Sequence, residues 1–157
     1  MNDLQDLYQD IIMDHNRRPR NFGSVEHPTH KKEGYNPLCG DQVQIYLKLN
    51  KEKNVENLSF EGSGCAISIA STSIMIESVK GKDLVIAKKI IIDFLNMIRS
   101  NQEITSNDLD DDQKIKIMSL SGVKQYPMRV KCATMAWHTL ISAIEGKNKE
   151  VNTEVID

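Results

Sequence analysis

Gln42-Val43-Gln44-Ile45-Tyr46-Leu47-Lys48-Leu49 is a run in which Val43, Ile45, Leu47 and Leu49 alternate with Gln44, Tyr46 and Lys48. A period of two puts every second side chain on one face, so the run predicts a half-buried strand. Residues 50–54 form a polar turn, and Leu58 and Phe60 continue the alternation on a second strand. Gly62-Ser63-Gly64 ends that strand with a backbone freedom that leaves Cys65 at its tip. The pair predicts an antiparallel hairpin with Cys39 just before it and Cys65 just after it.

Upstream, Leu4, Leu7, Tyr8, Ile11 and Ile12 recur at helical spacing and predict an amphipathic helix over roughly the first 14 residues. Asn16-Arg17-Arg18-Pro19-Arg20-Asn21-Phe22-Gly23 breaks it, and the stretch with His27, Pro28, His30 and Gly34 reads as an irregular loop leading to Asn36-Pro37. Downstream, 66–80 predicts a helix rich in small residues (Ala66, Ser68, Ala70, Ser71, Ser73) that would approach a sheet closely, closed by Gly81. Leu84, Ala87, Ile91, Leu95 and Ile98 mark the apolar stripe of a longer helix. Ser106 or Asp108 is the expected start of another around Ile115 and Met118, and 122–127 reads as a loop. A last helix is expected over 130–144, with Ala133, Trp137, Leu140, Ile141 and Ile144 on one face, stopped by Gly146 before a polar tail. Without internal repeats or a low-complexity linker, the chain reads as one α+β domain over 1–157, a small antiparallel sheet of about three strands packed against several helices.

Composition narrows the function. With 157 residues, 39% of them hydrophobic and 27% charged, the chain resembles an ordinary globular domain able to bury a core. A formal charge of -2 gives no general reason to expect nucleic acid or an anionic membrane as partner. The longest apolar run, around Ile90-Ile91-Ile92, falls far short of the ~20 residues of a membrane helix. Met1-Asn2-Asp3-Leu4-Gln5-Asp6 lacks the basic-then-apolar pattern of a secretory leader, so a cytoplasmic location is expected. An odd count of three cysteines argues against a disulfide framework and for reduced thiols, which bind metal or carry sulfur.

Those cysteines stand in Asn36-Pro37-Leu38-Cys39-Gly40-Asp41, in Gly62-Ser63-Gly64-Cys65-Ala66 and in Arg129-Val130-Lys131-Cys132-Ala133. Asn-Pro sets a bend before Cys39, and Gly40 permits a tight or left-handed turn. Asp41, two residues on, points to the same side as Cys39 in an extended segment, so thiolate and carboxylate can share one ion. Cys65 and Cys132 are each expected to open a helix, where free N–H groups favour the thiolate. Three thiolates and a carboxylate are four donors, the number a tetrahedral zinc site requires. Taken singly, each cysteine is more often a small buried hydrophobe than a ligand, and no C-x-x-C pair is present.

Taken jointly the motifs resemble the IscU/SufU family, the NifU N-terminal-like proteins of iron–sulfur cluster assembly. The resemblance runs from Leu7-Tyr8 and Ile12-Met13-Asp14-His15 through Pro19-Arg20-Asn21 and the Cys39 motif. It continues over Phe60-Glu61-Gly62-Ser63-Gly64-Cys65-Ala66-Ile67-Ser68 to Arg129-Val130-Lys131-Cys132-Ala133-Thr134 and Ala136-Trp137. It covers a core of about 7–146 and implies a SufE/IscU-like fold. Two departures point to the SufU branch. Lys131 stands where the IscU branch typically has histidine, and Gln125-Tyr126-Pro127-Met128-Arg129-Val130-Lys131 replaces that branch's chaperone-read Leu-Pro-Pro-Val-Lys. The segment within about 82–122, with Asp110-Asp111-Asp112, resembles a SufU-type insertion, though a solvated loop or helix start explains the aspartates.

The resemblance implies a zinc site of Cys39, Asp41, Cys65 and Cys132, with Cys39 accepting persulfide sulfur from a pyridoxal-phosphate cysteine desulfurase of the SufS type. A desulfurase histidine would displace Cys39 from the zinc, and downstream Suf scaffold proteins would be further partners. Arg129 is a candidate for electrostatic support, toward Asp41 or the departing Cys39 thiolate. The alternative is a scaffold that assembles a [2Fe-2S] cluster from iron on the same ligands, and a blander one is a zinc that serves folding only. His15 reads as a C-terminal helix cap, His27 and His30 as exposed, and His138 as a surface or partly buried residue. Arg17, Arg18 and Arg20 form a basic cluster for an acidic partner surface or for solvent.

Overall fold

The protein is described from a computed structural model covering residues 3–146 and 150–155. Helix α1 (Asp3–Arg17) leads to strands β1 (His30–Asn36), β2 (Asp41–Leu49) and β3 (Val55–Ser63). Helices α2 (Ala66–Val79), α3 (Leu84–Ser100) and α4 (Asp111–Met118), a 3-10 turn (Ser119–Gln125) and helix α5 (Pro127–Ile144) follow, and a short strand β4 (Val151–Asn152) closes the series. The sheet order is β3-β2-β1-β4; β2 is antiparallel to both β1 and β3, while β4 runs parallel to β1. The α+β expectation holds. The sheet has the expected antiparallel core of three strands, made mixed by β4.

The alternation over β2 buries Val43, Ile45 and Leu47, which meet Leu58 and Phe60 of β3 in the core. Each such side chain removed from water contributes about 1.5–3 kcal/mol. Phe94 of α3 stacks on Trp137 of α5 with ring centroids 3.9 Å apart. Helix α2 is buried over most of its surface, and its small residues let it close on α1 and α5 as well as on β3. Its hydroxyls are satisfied there: Ser71 Oγ donates to the Ala133 carbonyl (2.6 Å) and accepts from Trp137 Nε1 (2.8 Å).

Four local expectations are corrected. The stretch read as a loop contains strand β1, whose inward positions Lys32, Gly34 and Asn36 carry no apolar pattern. A side chain at Gly34 would run into Thr139 of α5, so the glycine lets that helix seat against the sheet. Helix α4 is capped by neither Ser106 nor Asp108 but by Asp110, in a reciprocal capping box with Gln113. The 122–127 loop is largely the end of the 3-10 turn, and α5 starts at Pro127, where proline's fixed φ suits the first helical position. Consequently Cys132 lies in the second turn of α5 rather than at its start.

Of the polar tail, 147–149 and 156–157 lie outside the described residues, as do Met1 and Asn2 of the acidic N-terminus. Among the described residues, no helix is long and apolar enough to cross a membrane.

Candidate metal centre

The β1–β2 hairpin, the start of α2 and the second turn of α5 meet at one end of the sheet. Asn36 and Asp41 are register partners at that end, and residues 37–40 make the turn between them. The Cys39 and Gly40 N–H groups each reach back 3.3 Å, to the carbonyls of Asn36 and Pro37. Gly40 adopts φ +72°, the left-handed conformation that glycine permits at no steric cost. Cys39 sits half-buried on this turn beside Leu38, which is 51% exposed.

Asp41 is buried and fully engaged. Its Oδ1 accepts from the Cys65 N–H (2.8 Å) and its Oδ2 from Asn36 Nδ2 (2.9 Å). Gly64 makes this possible, since a Cβ there would collide with the Asp41 carboxylate. Cys65 caps α2, its Sγ accepting from the Ser68 N–H at 3.5 Å, as the sequence led us to expect of a helix-opening cysteine. Cys132 is buried, and Asn36 Nδ2 donates to its Sγ at 3.3 Å.

The donor atoms of Cys39, Asp41 and Cys132 all lie within 4.8 Å of one another. Cys65 borders this group, its Sγ 4.0 Å from Asp41 Oδ2. Of the four residues singled out in the sequence, three therefore gather at one point and Cys65 stands beside them. Two sulfurs and a carboxylate oxygen, with a third sulfur alongside, are donors that could hold a thiophilic divalent ion such as zinc.

The thiols are not equivalent. The neighbouring Cys132 side chain holds the Cys65 thiol below the ordinary range; burial opposes this shift and the Ser68 N–H assists it. Cys132, whose Sγ donates to the Met128 carbonyl at 3.6 Å, is pushed well above the ordinary thiol range by the adjacent Cys65 side chain, with burial adding to the effect. Arg129 is exposed, one turn before Cys132. Its guanidinium is shifted upward by its pairing with Cys132 and by the charge of Cys65. It thus adds positive charge where four anionic donors would outweigh a divalent ion.

Lys131 points elsewhere and pairs with Glu154 at 2.9 Å. Beside Arg129 opens an apolar groove of about 610 Å³, lined by Ile12, Ile67, Val123, Tyr126 and Met128 among others.

The remaining candidates fall outside the cluster. His15 is not a cap but a core residue, with Nδ1 bonded to Ser73 Oγ (2.8 Å) on α2. His27 is exposed, His30 is half-buried at the start of β1, and His138 is half-buried 3.4 Å from Arg99. Arg18 and Arg20 are engaged internally with Asp14, both at 2.6 Å. Sequence reasoning took Asn36 for a turn former; no local signal showed that its carboxamide bridges Asp41 and Cys132.

Comparison with known proteins gives a consistent picture. Residues 7–152 match the family model described as the NifU-like N terminal domain. The chain is 39% identical over 148 residues to the zinc-dependent sulfurtransferase SufU of Bacillus subtilis, across 92% of this chain and 96% of that one. It is 32% identical over 142 residues to the iron–sulfur cluster assembly scaffold protein IscU of Streptococcus pyogenes, across 90% of this chain and 85% of that one. Among solved structures, the putative iron–sulfur cluster assembly scaffold protein for the SUF system from Fervidobacterium islandicum superimposes with a TM-score of 0.77. The two are 34% identical, over 89% of this chain and 98% of that one.

Proposed function

This chain belongs to the NifU-like N-terminal domain family, and from that premise we propose that it is a SufU-type, zinc-dependent sulfur carrier for iron–sulfur cluster biogenesis. Cys39, Asp41, Cys65 and Cys132 are the ligands, and Cys39 is the sulfur acceptor. The observation that carries this reading is the unequal setting of the three thiols. Cys39 rides a glycine-permitted turn beside an exposed leucine, whereas Cys65 caps a helix and Cys132 is buried.

In the transfer, the Cys39 thiolate attacks the outer sulfur of a persulfide on a cysteine desulfurase. A new S–S bond forms on Cys39, the donor's S–S bond breaks, and its electron pair leaves on the desulfurase cysteine as a thiolate; no external oxidant or reductant is consumed. Zinc, when bound, keeps cysteine sulfur deprotonated without redox chemistry of its own. Arg129 offsets the negative charge of the cluster. The groove beside it and the exposed Leu38 suit the docking of the desulfurase, a pyridoxal-phosphate enzyme of the SufS type. Downstream Suf scaffold proteins are the expected recipients, the location is the cytoplasm, and residues 82–122 correspond to the SufU-type insertion.

A scaffold that assembles a [2Fe-2S] cluster on the same residues is the second reading, favoured by the similarity to relatives named IscU. Two measurements separate them. Protein purified without added metal should carry stoichiometric zinc; iron with acid-labile sulfide would point to the scaffold. Wild-type protein should stimulate desulfurase turnover, and Cys39→Ala should lose that stimulation almost completely. Stimulation by Cys39→Ala at the wild-type level would sink the acceptor assignment. Asp41→Ala should weaken metal binding while keeping the acceptor thiol.

A further inference from the structure

We propose that Thr153 is a positioning residue for the metal centre, acting through Asn36. The inference rests on the metal reading above. The segment 150–155 is not a loose tail. Val151 and Asn152 pair with Gly34 and Tyr35 of β1, and the Thr153 N–H donates to the Tyr35 carbonyl at 2.9 Å. Glu154 then holds Lys131 of α5 at 2.9 Å. The segment is a strap that ties β1 to the helix carrying Cys132.

At its centre Thr153 is 4% exposed, and its Oγ1 donates to Asn36 Oδ1 at 2.8 Å. Asn36 is 0% exposed, and its Nδ2 reaches Asp41 Oδ2 at 2.9 Å and Cys132 Sγ at 3.3 Å. A carboxamide has two N–H hydrogens and one oxygen. Here the two hydrogens meet a carboxylate oxygen and a cysteine sulfur, and the oxygen meets a hydroxyl donor. Turning the amide over would aim its oxygen at the carboxylate and the sulfur, and the Thr153 O–H is the group that anchors the oxygen on the opposite side. The hydroxyl therefore fixes, through one buried amide, the orientation of two of the four proposed ligands. Outer partners that orient metal ligands in this way typically change affinity by 10–100-fold when removed.

The test uses full-length protein, with Zn2+ affinity read by competition against a chromophoric chelator and the ligand field read from Co2+ absorption. Thr153→Val keeps the shape and removes the donor; it should weaken Zn2+ binding roughly 10-fold and shift the cobalt bands. Thr153→Ser keeps the hydroxyl and should restore both. Thr153→Ala serves the same purpose where valine fails to fold. Unfolding of the metal-free proteins separates general destabilisation from positioning. A Thr153→Val protein that loses apo stability yet keeps wild-type affinity and cobalt spectrum overturns the inference. Wild-type protein that takes up neither ion overturns the metal reading, and this inference with it.

Discussion

Two polar clusters among the described residues, one around the buried His15 and one around the buried Asn36, are built on opposite principles. Around His15, Asp14, Glu77 and Asp112 face Arg18, Arg20 and Lys116, three acids against three bases, in contacts of 2.6 to 3.4 Å. Ser73 joins α1 to α2 there, accepting the Arg20 N–H at 2.9 Å and bonding to His15. That cluster closes its own charge and serves to pin helices. In the second cluster, three thiols and the buried Asp41 collect around Asn36, and among the described residues the exposed Arg129 is the cation whose charge bears on the cysteines. Sulfur and carboxylate donors gathered without an equal set of bases are groups that a bound cation would neutralise, in keeping with the metal reading proposed above. Charge closure distinguishes the helix-pinning cluster from the proposed metal site.

The comparison breaks most visibly on metal removal. With zinc bound at a thousandfold excess over its dissociation constant, the ion contributes about 4 kcal/mol, and stripping it should lower Tm by roughly 10 °C. Calorimetry with and without a strong chelator measures this; an unchanged Tm would make the thiol cluster as self-sufficient as the histidine one.

A second test concerns His15, whose Nε2 lies 3.4 Å from Glu77 Oε1 yet makes no hydrogen bond. Burial, reinforced by the nearby Arg20 charge, lowers its pKa from 6.5 to about 4. The unfolded chain therefore binds the proton more readily, and stability present above pH 6.5 is lost as pH falls toward 4, by at most about 3 kcal/mol. His138, also lowered to about 4, mainly by its own burial, acts in the same window. Urea unfolding at pH 7 and pH 4.5 should consequently show a smaller difference for His15→Gln than for wild type. An equal difference would remove His15 as a source of the pH dependence.

The smallest effect is expected at the rim of the histidine cluster. Arg18→Ala removes an exposed ion pair to Asp14 and should cost roughly 0.5 kcal/mol or less by denaturant titration. A loss of several kcal/mol would show that charge closure there is worth more than pinning.

Much of this architecture could be read from local chemistry. The alternation of β2, the stripes of α1 and α3 and the flanks of Cys39, Asp41 and Cys65 carry their own signals within a few residues. What escaped was set by distant partners. Strand β1 turns Lys32, Gly34 and Asn36 inward, so no apolar period announces it; pairing with β2 makes it a strand. His15 finds Ser73 and Asn36 finds Thr153 only once the helices and sheet have packed. The early start of α5 follows from Pro127 acting as a first helical residue where it resembled a loop proline.

The link from Thr153 to Asn36 also has a consequence in time. Synthesis proceeds from the N-terminus, so Cys39, Asp41 and Cys65 emerge first, Cys132 later, and the strap last of all. A nascent chain thus displays Cys39, Asp41 and Cys65 before Cys132 and Thr153 can join them. On the proposed metal reading, the contact that orients Asn36 is acquired only when residues 151–154 dock against β1 and α5.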